Sequence, residues 1–323
     1  MRDTSGALSP GPTGLDLLGL LAGPDAEQAR ALVEAGVAPN TRRTYRAAWN
    51  RWASWCAERG MSPLPATPAD VLLYLAASST ELRPSSLRVQ AAALASLHKA
   101  KGYGSPCADP AVRALLRGAA RLRSAPPKEA RPLLLAELLA GLPSGDGARA
   151  RRDRALLLVG FAGGFRRSEL AGLDWTDLEP HRAGLILRLR RSKTDQEGAG
   201  RMIGLPYGRP ESCPVLALAR WREVTGAELG PVWRSVDRWG HLGGPLSDRA
   251  VWSLVREAAR RAGLDAQGYS AHSLRAGLAT SAAELGASER DISAQTGHRS
   301  GTVRRYIRRG ELFHGANVAG RLL

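Results

Sequence analysis

The sequence predicts a mainly α fold with a small antiparallel β-sheet (α+β), divided into two domains. Most of the chain consists of runs with helical periodicity, and several begin with a capping residue or a proline. Only residues 184–190 and 201–206 alternate apolar and polar side chains, so we expect them to pair as a hairpin. Three prolines within residues 124–132 indicate an extended linker between the domains.

The N-terminal part of the chain is predicted to hold a helical domain over residues 25–123. A flexible segment, residues 1–24, precedes it; its first 14 residues are rich in Gly, Pro and Ser, and LDLLGLLAG after them has the pattern of a short amphipathic helix. Asn40 is expected to cap a helix that continues to Gly60, and Thr67 is expected to cap the next helix.

Aromatic residues of this domain are interpreted as core. Trp49, Trp52 and Trp55 are spaced by three residues, which favours one buried helix face over a platform for stacking bases. Tyr45 and Tyr74 are interpreted in the same way, as packing residues of helices.

The second domain is predicted over residues 133–323, with helices before and after the hairpin. Ser247 and Ser288 are expected to cap two of these helices. An apolar pattern near the C-terminus predicts a last helix, with apolar positions at Leu312, Phe313, Val318, Leu322 and Leu323.

The charge of the chain indicates a polyanionic partner. The 323 residues carry a formal net charge of +16, while 44% of them are hydrophobic, as in an ordered protein. Cationic side chains release counterions when they bind phosphates, so nucleic acid is the favoured partner. Arginine accounts for 42 of the 46 basic residues, an excess that a GC-rich genome would also produce.

Several protein classes are excluded by composition. The three cysteines are far apart and form no CxxC pair, so neither a disulfide framework nor a zinc site is expected. There is no signal-peptide pattern and no apolar run of about 20 residues, so no membrane association is expected. We therefore expect a soluble, cytoplasmic protein.

Residues suited to metal-independent cleavage of DNA occur in the second domain. Such cleavage needs a nucleophile, cations for the phosphate oxygens and an acid for the leaving oxygen. Gly163 and Gly164 permit a tight turn, which would place Arg166 at a helix start. Its guanidinium can donate two hydrogen bonds to a phosphate and stays charged. Glu169, three residues further along, could orient that guanidinium.

Two other short motifs supply candidates, each with a less specific alternative. His272 and Arg275 would share one helix face, although this spacing also suits a surface histidine near a solvated arginine. Lys193 lies at the predicted hairpin tip, where its ammonium could act as a general acid, because it can release a proton and a guanidinium cannot. A solvated turn residue is the alternative for Lys193.

Tyr306 is the tyrosine with the most reactive setting. Arginines surround it, and cations favour a phenolate. His298 precedes it by eight residues. A packing role on a helix is the alternative for this tyrosine.

These motifs, in this order, resemble those of the tyrosine recombinases, a family that includes phage integrases. The resemblance is carried by GFRRSEL, RSKT on a hairpin, HSLR, GH and a following tyrosine, and the tail YIRRGELFHGANVAGRLL looks Cre-like. It covers residues from about 25 to 323. It implies a helical core-binding domain and a catalytic domain that form a clamp on DNA, with a C-terminal helix that exchanges between protomers.

The resemblance also implies roles for individual residues. Tyr306 would attack the scissile phosphate, leaving a 3′-phosphotyrosyl link and a free 5′-hydroxyl. Arg166 and Arg275 would bind the non-bridging oxygens, and Lys193 would protonate the leaving oxygen. Three further positions match proton transfer with the tyrosine, a hydrogen bond to the phosphate and support of the first arginine. These positions are His272, His298 and Glu169, respectively.

The implied function is site-specific recombination through a Holliday junction, without a cofactor or metal. The expected partner is double-stranded DNA with paired inverted-repeat target sites, bound by a homotetramer that is a monomer when free. Two alternatives stay open: topoisomerase-like strand passage of type IB on one duplex, and a catalytically impaired DNA-binding relative. The interval from His298 to Tyr306 favours the impaired relative, because it is one residue shorter than is usual in the family.

Further basic residues are candidates for contacts with DNA. Phosphate and base contacts can both use arginine, so the sequence does not tell which of them read bases. The candidates are Arg42, Arg43, Arg88, Lys99, Lys101, Arg113, Arg117, Arg304 and Arg305.

Overall fold

The computed structural model describes residues 23–123, 130–189 and 200–297, together with Arg304 and Tyr306. Within these residues it confirms the mainly α fold with small antiparallel sheets. Contacts divide the chain into two compact units, Met1–Pro127 and Lys128–Leu323. The boundaries and roles predicted for the two domains stay predictions.

The described part of the first unit is helical. Every one of its α-helices starts at a proline, whose fixed φ suits the first helical position, where no backbone N–H is needed. These helices are α1 (Pro24–Ala35), α2 (Pro39–Ala57), α3 (Pro68–Ser78), α4 (Pro84–Ala100) and α5 (Pro110–Leu122).

One predicted cap in this unit is wrong. Because a proline already occupies the first position of α2, Asn40 lies inside the first turn, and the cap position is Ala38. The Asn40 side chain instead accepts a hydrogen bond of 2.7 Å from Arg43 Nη2. The cap at Thr67 is confirmed, since its hydroxyl accepts from the backbone N–H of Asp70.

The core of the first unit contains the tryptophans predicted there. Trp52 is fully buried, while Trp49 and Trp55 are half-buried and pack against the same cluster. The Trp52 and Trp55 rings stack with their centroids 5.6 Å apart, and Tyr74 is buried edge-on against Trp52. Tyr45 is half-buried. The interpretation of the tryptophan spacing as a buried face is confirmed.

The second unit places helices before and after a β-sheet. The helices before it are α6 (Leu135–Ala140), α7 (Ala148–Ala162) and α8 (Arg167–Ala171). Those after it are α9 (Pro214–Thr225), α10 (Asp248–Arg261), α11 (His272–Glu284) and α12 (Glu289–Thr296). The predicted serine caps are confirmed, with Ser247 at α10 and Ser288 at α12.

The sheet contains the predicted hairpin and one additional strand. Its strands β1 (Leu178–His181), β2 (Gly184–Leu189) and β3 (Arg201–Pro206) are antiparallel, in the order β1-β2-β3. A separate antiparallel pair consists of β4 (Arg234–Val236) and β5 (Leu242–Pro245). Strands β1, β4 and β5 were not predicted, because runs of three or four residues are too short to establish a strand pattern.

The core of the second unit is built around α7. Residues 155–161 of this helix are buried on every side, as expected for a helix that is apolar all round. Its C-terminal end therefore has a fixed position in the unit.

In the described part of the chain, no helix is long and apolar enough to cross a membrane.

Substitution of two helical glycines tests this packing. A methyl group at Gly277 in α11 would lie 1.9 Å from the Leu133 carbonyl oxygen, whereas one at Gly118 in α5 would meet no atom within 4 Å. We expect Gly277→Ala to lower the free energy of unfolding by about 1–3 kcal/mol, because backbone must move. The control Gly118→Ala should raise it by about 0.5–1 kcal/mol. Denaturant unfolding followed by circular dichroism measures both, and an unchanged Gly277→Ala midpoint would contradict the close contact.

Candidate active site

The first arginine of the candidate site is held by a turn and a buried carboxylate. Gly164 has a φ of +56°, in the left-handed region that favours glycine, and the chain turns there from α7 towards α8. Arg166 caps α8, and its backbone N–H donates to Glu169 Oε2 at 2.9 Å. Its Nη1 donates to Glu169 Oε1 at 2.5 Å. Glu169 therefore fixes both the backbone and the guanidinium of Arg166, a geometry that fits the predicted orienting role.

The second arginine reaches the same turn from α11. Arg275 is 1% exposed, and its Nη1 donates to the Gly164 carbonyl oxygen at 2.8 Å. Burial lowers the pKa of Arg275 to about 10, and the positive charge of Arg166 acts in the same direction. The carboxylate of Glu169 opposes this shift. A solvated arginine, the alternative for this motif, is thereby ruled out for Arg275.

His272 lies within the field of both arginines. It is the first residue of α11 and is exposed. Partial loss of solvation around the ring lowers its pKa below the ordinary value, and the charges of Arg275 and Arg166 lower it further. The imidazole is therefore neutral at pH 7 and can accept a proton.

Tyr306 combines packing with electrostatic contact to the site. It is half-buried in a helical segment, and it packs against a cluster formed by Ala279, Ala283 and Ile292 of α11 and α12. It also interacts electrostatically with Arg275, whose pKa it raises. Packing was the alternative to a reactive role. In the structure, Tyr306 both packs against this cluster and interacts with Arg275.

Two polar residues near the site were missed in the sequence. Arg201, the first residue of β3, donates from Nη1 to the Gln295 carbonyl oxygen at 3.1 Å. Burial lowers the pKa of Arg201, and its charge interacts with those of Glu169 and Arg166. The Gln295 amide donates to the Ala162 carbonyl oxygen at the end of α7, at 2.8 Å. Nothing in the sequence distinguishes Arg201 from the other arginines.

Several predicted residues lie outside the described part of the chain. They are Lys193, His298, Arg305 and the last helix predicted from residue 312 onwards, which belongs to the Cre-like tail. Their neighbours are placed: β2 ends at Leu189 and β3 begins at Arg201, on either side of the Lys193 segment. Gly297, directly before His298, accepts a hydrogen bond of 3.4 Å from Arg166 Nη2.

The remaining candidates for DNA contacts are accessible. Arg304 is exposed, and its Nε lies 3.1 Å from Glu289 Oε2. The candidates of the first unit are also exposed, and they are Arg42, Arg43, Arg88, Lys99, Lys101, Arg113 and Arg117. Exposure permits a phosphate contact at each of these positions.

Chemically, the described site offers fixed cations, a neutral imidazole and a phenol. Such a set can bind a phosphate diester, activate a hydroxyl and stabilise the charge that develops on phosphoryl oxygens. In residues 23–123, 130–189 and 200–297, no group of three or more His, Cys, Asp or Glu could hold a metal ion.

Comparisons with known proteins agree on one family. Residues 135–311 match the phage integrase family. An integrase/recombinase xerD homolog of Selenomonas ruminantium is 34% identical, over 88% of this chain and 86% of the relative. The tyrosine recombinase XerD of Mycobacterium tuberculosis is 32% identical, over 84% of this chain and 87% of the relative.

A solved structure shares the fold. XerH site-specific recombinase, bound to palindromic difH substrate in a post-cleavage complex, matches with a TM-score of 0.61 and 17% sequence identity. The match covers 94% of this chain and 89% of that chain. At this identity, the likeness shows the fold.

The lowered pKa of His272 can be measured directly. We expect its imidazole to titrate below the ordinary value of about 6.5 in NMR spectra recorded against pH. Arg166→Gln should raise the midpoint, because it removes one positive charge that disfavours protonation. The control is Arg167→Gln, next in sequence but exposed and paired with Asp248 at 3.0 Å. Equal midpoints in the two variants would contradict the proposed coupling.

Proposed function

The chain belongs to the phage integrase family of tyrosine recombinases, and we propose that it recombines double-stranded DNA at specific sites, with Tyr306 as the nucleophile. One observation carries this proposal: three separate stretches of sequence meet at one place, because Arg275 hydrogen-bonds to the turn before Arg166 and interacts electrostatically with Arg166, His272 and Tyr306. Each of these side chains has a function in phosphodiester chemistry.

The two arginines would bind the non-bridging oxygens of the scissile phosphate. Their charges repel each other, and the single carboxylate of Glu169, which interacts with both, balances one of the two positive charges. An incoming phosphate would remove this repulsion, and the additional negative charge of the transition state would remove more. The cluster is therefore stabilised more by the charge of the transition state than by that of the bound phosphate, and least when no phosphate is bound.

The covalent step would replace the phosphodiester bond of DNA with a phosphotyrosyl bond of similar energy. The Tyr306 oxygen would form a bond to phosphorus while the bond to the 5′ oxygen breaks, which gives a 3′-phosphotyrosyl link. His272, neutral at pH 7, would accept the phenolic proton, and Lys193 would donate a proton to the 5′ oxygen. His298 would hydrogen-bond the phosphate. The step needs no metal or cofactor, and a second 5′-hydroxyl can reverse it.

Strand exchange between two duplexes requires four cleavages, one for each strand. Since each chain would supply one nucleophile, we propose that free monomers assemble into a homotetramer on paired inverted-repeat sites and pass through a Holliday junction. The palindromic substrate of the XerH complex supports such sites. The exposed basic residues of the first unit would contact phosphates, and the last helix would exchange between protomers.

The nucleophile can be tested with a nicked suicide substrate. We expect wild type to become covalently attached to DNA, also in EDTA, and Tyr306→Phe to bind DNA normally but to form no adduct, because the attacking oxygen is absent. Tyr207→Phe, at an exposed tyrosine of the same unit, is the control and should form the adduct. Adducts are separated by denaturing gel electrophoresis.

Three outcomes of this assay distinguish the candidate functions. Adduct formation by Tyr306→Phe would show that another residue is the nucleophile. Binding without any wild-type adduct would favour the impaired relative. An adduct on one duplex of any sequence, with no requirement for a partner site, would favour topoisomerase-like strand passage.

The acid role of Lys193 can be tested by changing the leaving group. We expect Lys193→Arg to bind DNA normally but to cleave at least tenfold more slowly, because a guanidinium keeps its proton. A 5′-phosphorothiolate substrate should restore most of the rate, because its sulfur leaves without protonation. Cleavage rates in single-turnover reactions measure this. A variant that stays equally slow on the sulfur substrate would remove Lys193 from this role.

A further inference from the structure

We propose that Arg201 is a positioning residue for DNA cleavage, which fastens the end of α12 to the strand that leaves the Lys193 hairpin. It would thereby fix the segment that begins at Gly297 and continues into His298 relative to the hairpin. This inference rests on the proposed recombinase function. It adds a residue that neither the family resemblance nor the motif order singled out.

The first observation is the position of Arg201 at the base of the hairpin. Arg201 begins β3 and lies opposite Leu189, the last residue of β2. The sequence between these two residues includes Lys193. A side chain anchored at Arg201 therefore holds the strand to which that part of the chain connects.

The second observation is the contact of its side chain with the C-terminal end of α12. Nη1 lies 3.1 Å from the Gln295 carbonyl oxygen and 3.5 Å from that of Ala294. The last carbonyls of a helix lack partners within the helix and carry partial negative charge. A guanidinium satisfies them and holds the helix end against β3. The Gln295 side chain strengthens the same junction, since it donates to the Gly204 carbonyl oxygen at 3.3 Å.

The third observation is the close fit at Gly297. This residue has a φ of +64°, and a methyl group there would lie 2.4 Å from Arg201 Nη1. The backbone therefore favours a glycine, and any larger residue would displace the Arg201 guanidinium that packs on it. Its carbonyl oxygen is the one that accepts from Arg166. Arg201 and Arg166 thus hold the same residue, directly before His298.

Stability alone does not explain an arginine at this position. Its Nη2 is buried and hydrogen-bonds to none of the described residues, and burial also lowers the pKa of the guanidinium. Both features disfavour the charged side chain in this place. Arg188 of β2 shows the alternative available to the sheet: it is exposed and pairs with Glu179 at 2.9 Å. Because Arg201 costs folding free energy, a role in the site explains this arginine better than a role in stability does.

The experiment compares Arg201→Met, Arg201→Lys and the control Arg188→Met in the full chain. Each variant is measured for DNA affinity and for the rate of adduct formation on a suicide substrate with oxygen or sulfur at the leaving position. We expect Arg201→Met to keep wild-type affinity within about twofold and to lose at least tenfold in rate. Arg201→Lys, which keeps one donor and the charge, should lie between Arg201→Met and wild type, and Arg188→Met should match wild type.

The sulfur substrate separates positioning from simple loss of folded protein. We expect it to restore part of the Arg201→Met rate, because part of the loss comes from a displaced Lys193. A smaller fraction of folded protein would lower the two rates equally, so a defect that sulfur leaves unchanged would overturn the coupling to the hairpin.

Other results would also overturn the proposal. If both Arg201 variants cleave like Arg188→Met while wild type forms the adduct, Arg201 has no positioning role. If the loss is in affinity, with a weaker salt dependence, Arg201 is a direct phosphate contact. If wild type itself forms no adduct, the proposed function fails, and this inference fails with it.

Discussion

The second unit depends on holding two guanidinium groups of like charge at one turn of the backbone. Arg275 is almost completely buried there, with its pKa lowered by burial and by Arg166. The contributions that favour the charged form include the Glu169 carboxylate, Tyr306 and a hydrogen bond from Arg275 to the Gly164 carbonyl oxygen. A buried charge is retained only where hydrogen-bond acceptors and opposite charges are held in place beside it, because an uncompensated charge would cost several kcal/mol. The fold must therefore, above all, hold this turn in a fixed position.

The packing of the helices meets this requirement through close backbone contacts. Helix α7, which is buried on every side over residues 155–161, leads into the turn, and α11 approaches the segment before α6 so closely that Gly277 leaves no space for a methyl group beside the Leu133 carbonyl oxygen. The same helix packs against α7 through side chains, since Phe161 of α7 lies beside Gly277 and Leu274 of α11 lies beside Gly160. Arg275 is thus carried by a helix that contacts both the Leu133 segment and α7.

Local signals in the sequence were sufficient where a residue and its partner are close in the chain. The glycine pair before Arg166 and the three-residue spacing to Glu169 predicted a helix start and an ion pair, and both are present. The Asn40 cap failed for a local reason, since the preceding proline had already begun the helix. Arg201 could not have been found in this way, because its partners lie more than 90 residues away and it is one of 42 arginines.

The electrostatics of the site also explain why arginine and lysine are not exchangeable within it. Surroundings that lower the pKa of Arg275 to about 10 still leave a guanidinium charged at pH 7. A lysine starts from a lower pKa, about 10.4, so the same burial and neighbouring charge would bring its pKa closer to 7 and leave it a less secure cation for a phosphate than arginine. For a general acid, a lowered pKa is an advantage, because it makes proton donation easier. In the proposed mechanism, arginine is thus the suitable cation for binding the phosphate, and Lys193 is the suitable residue for protonating the leaving oxygen.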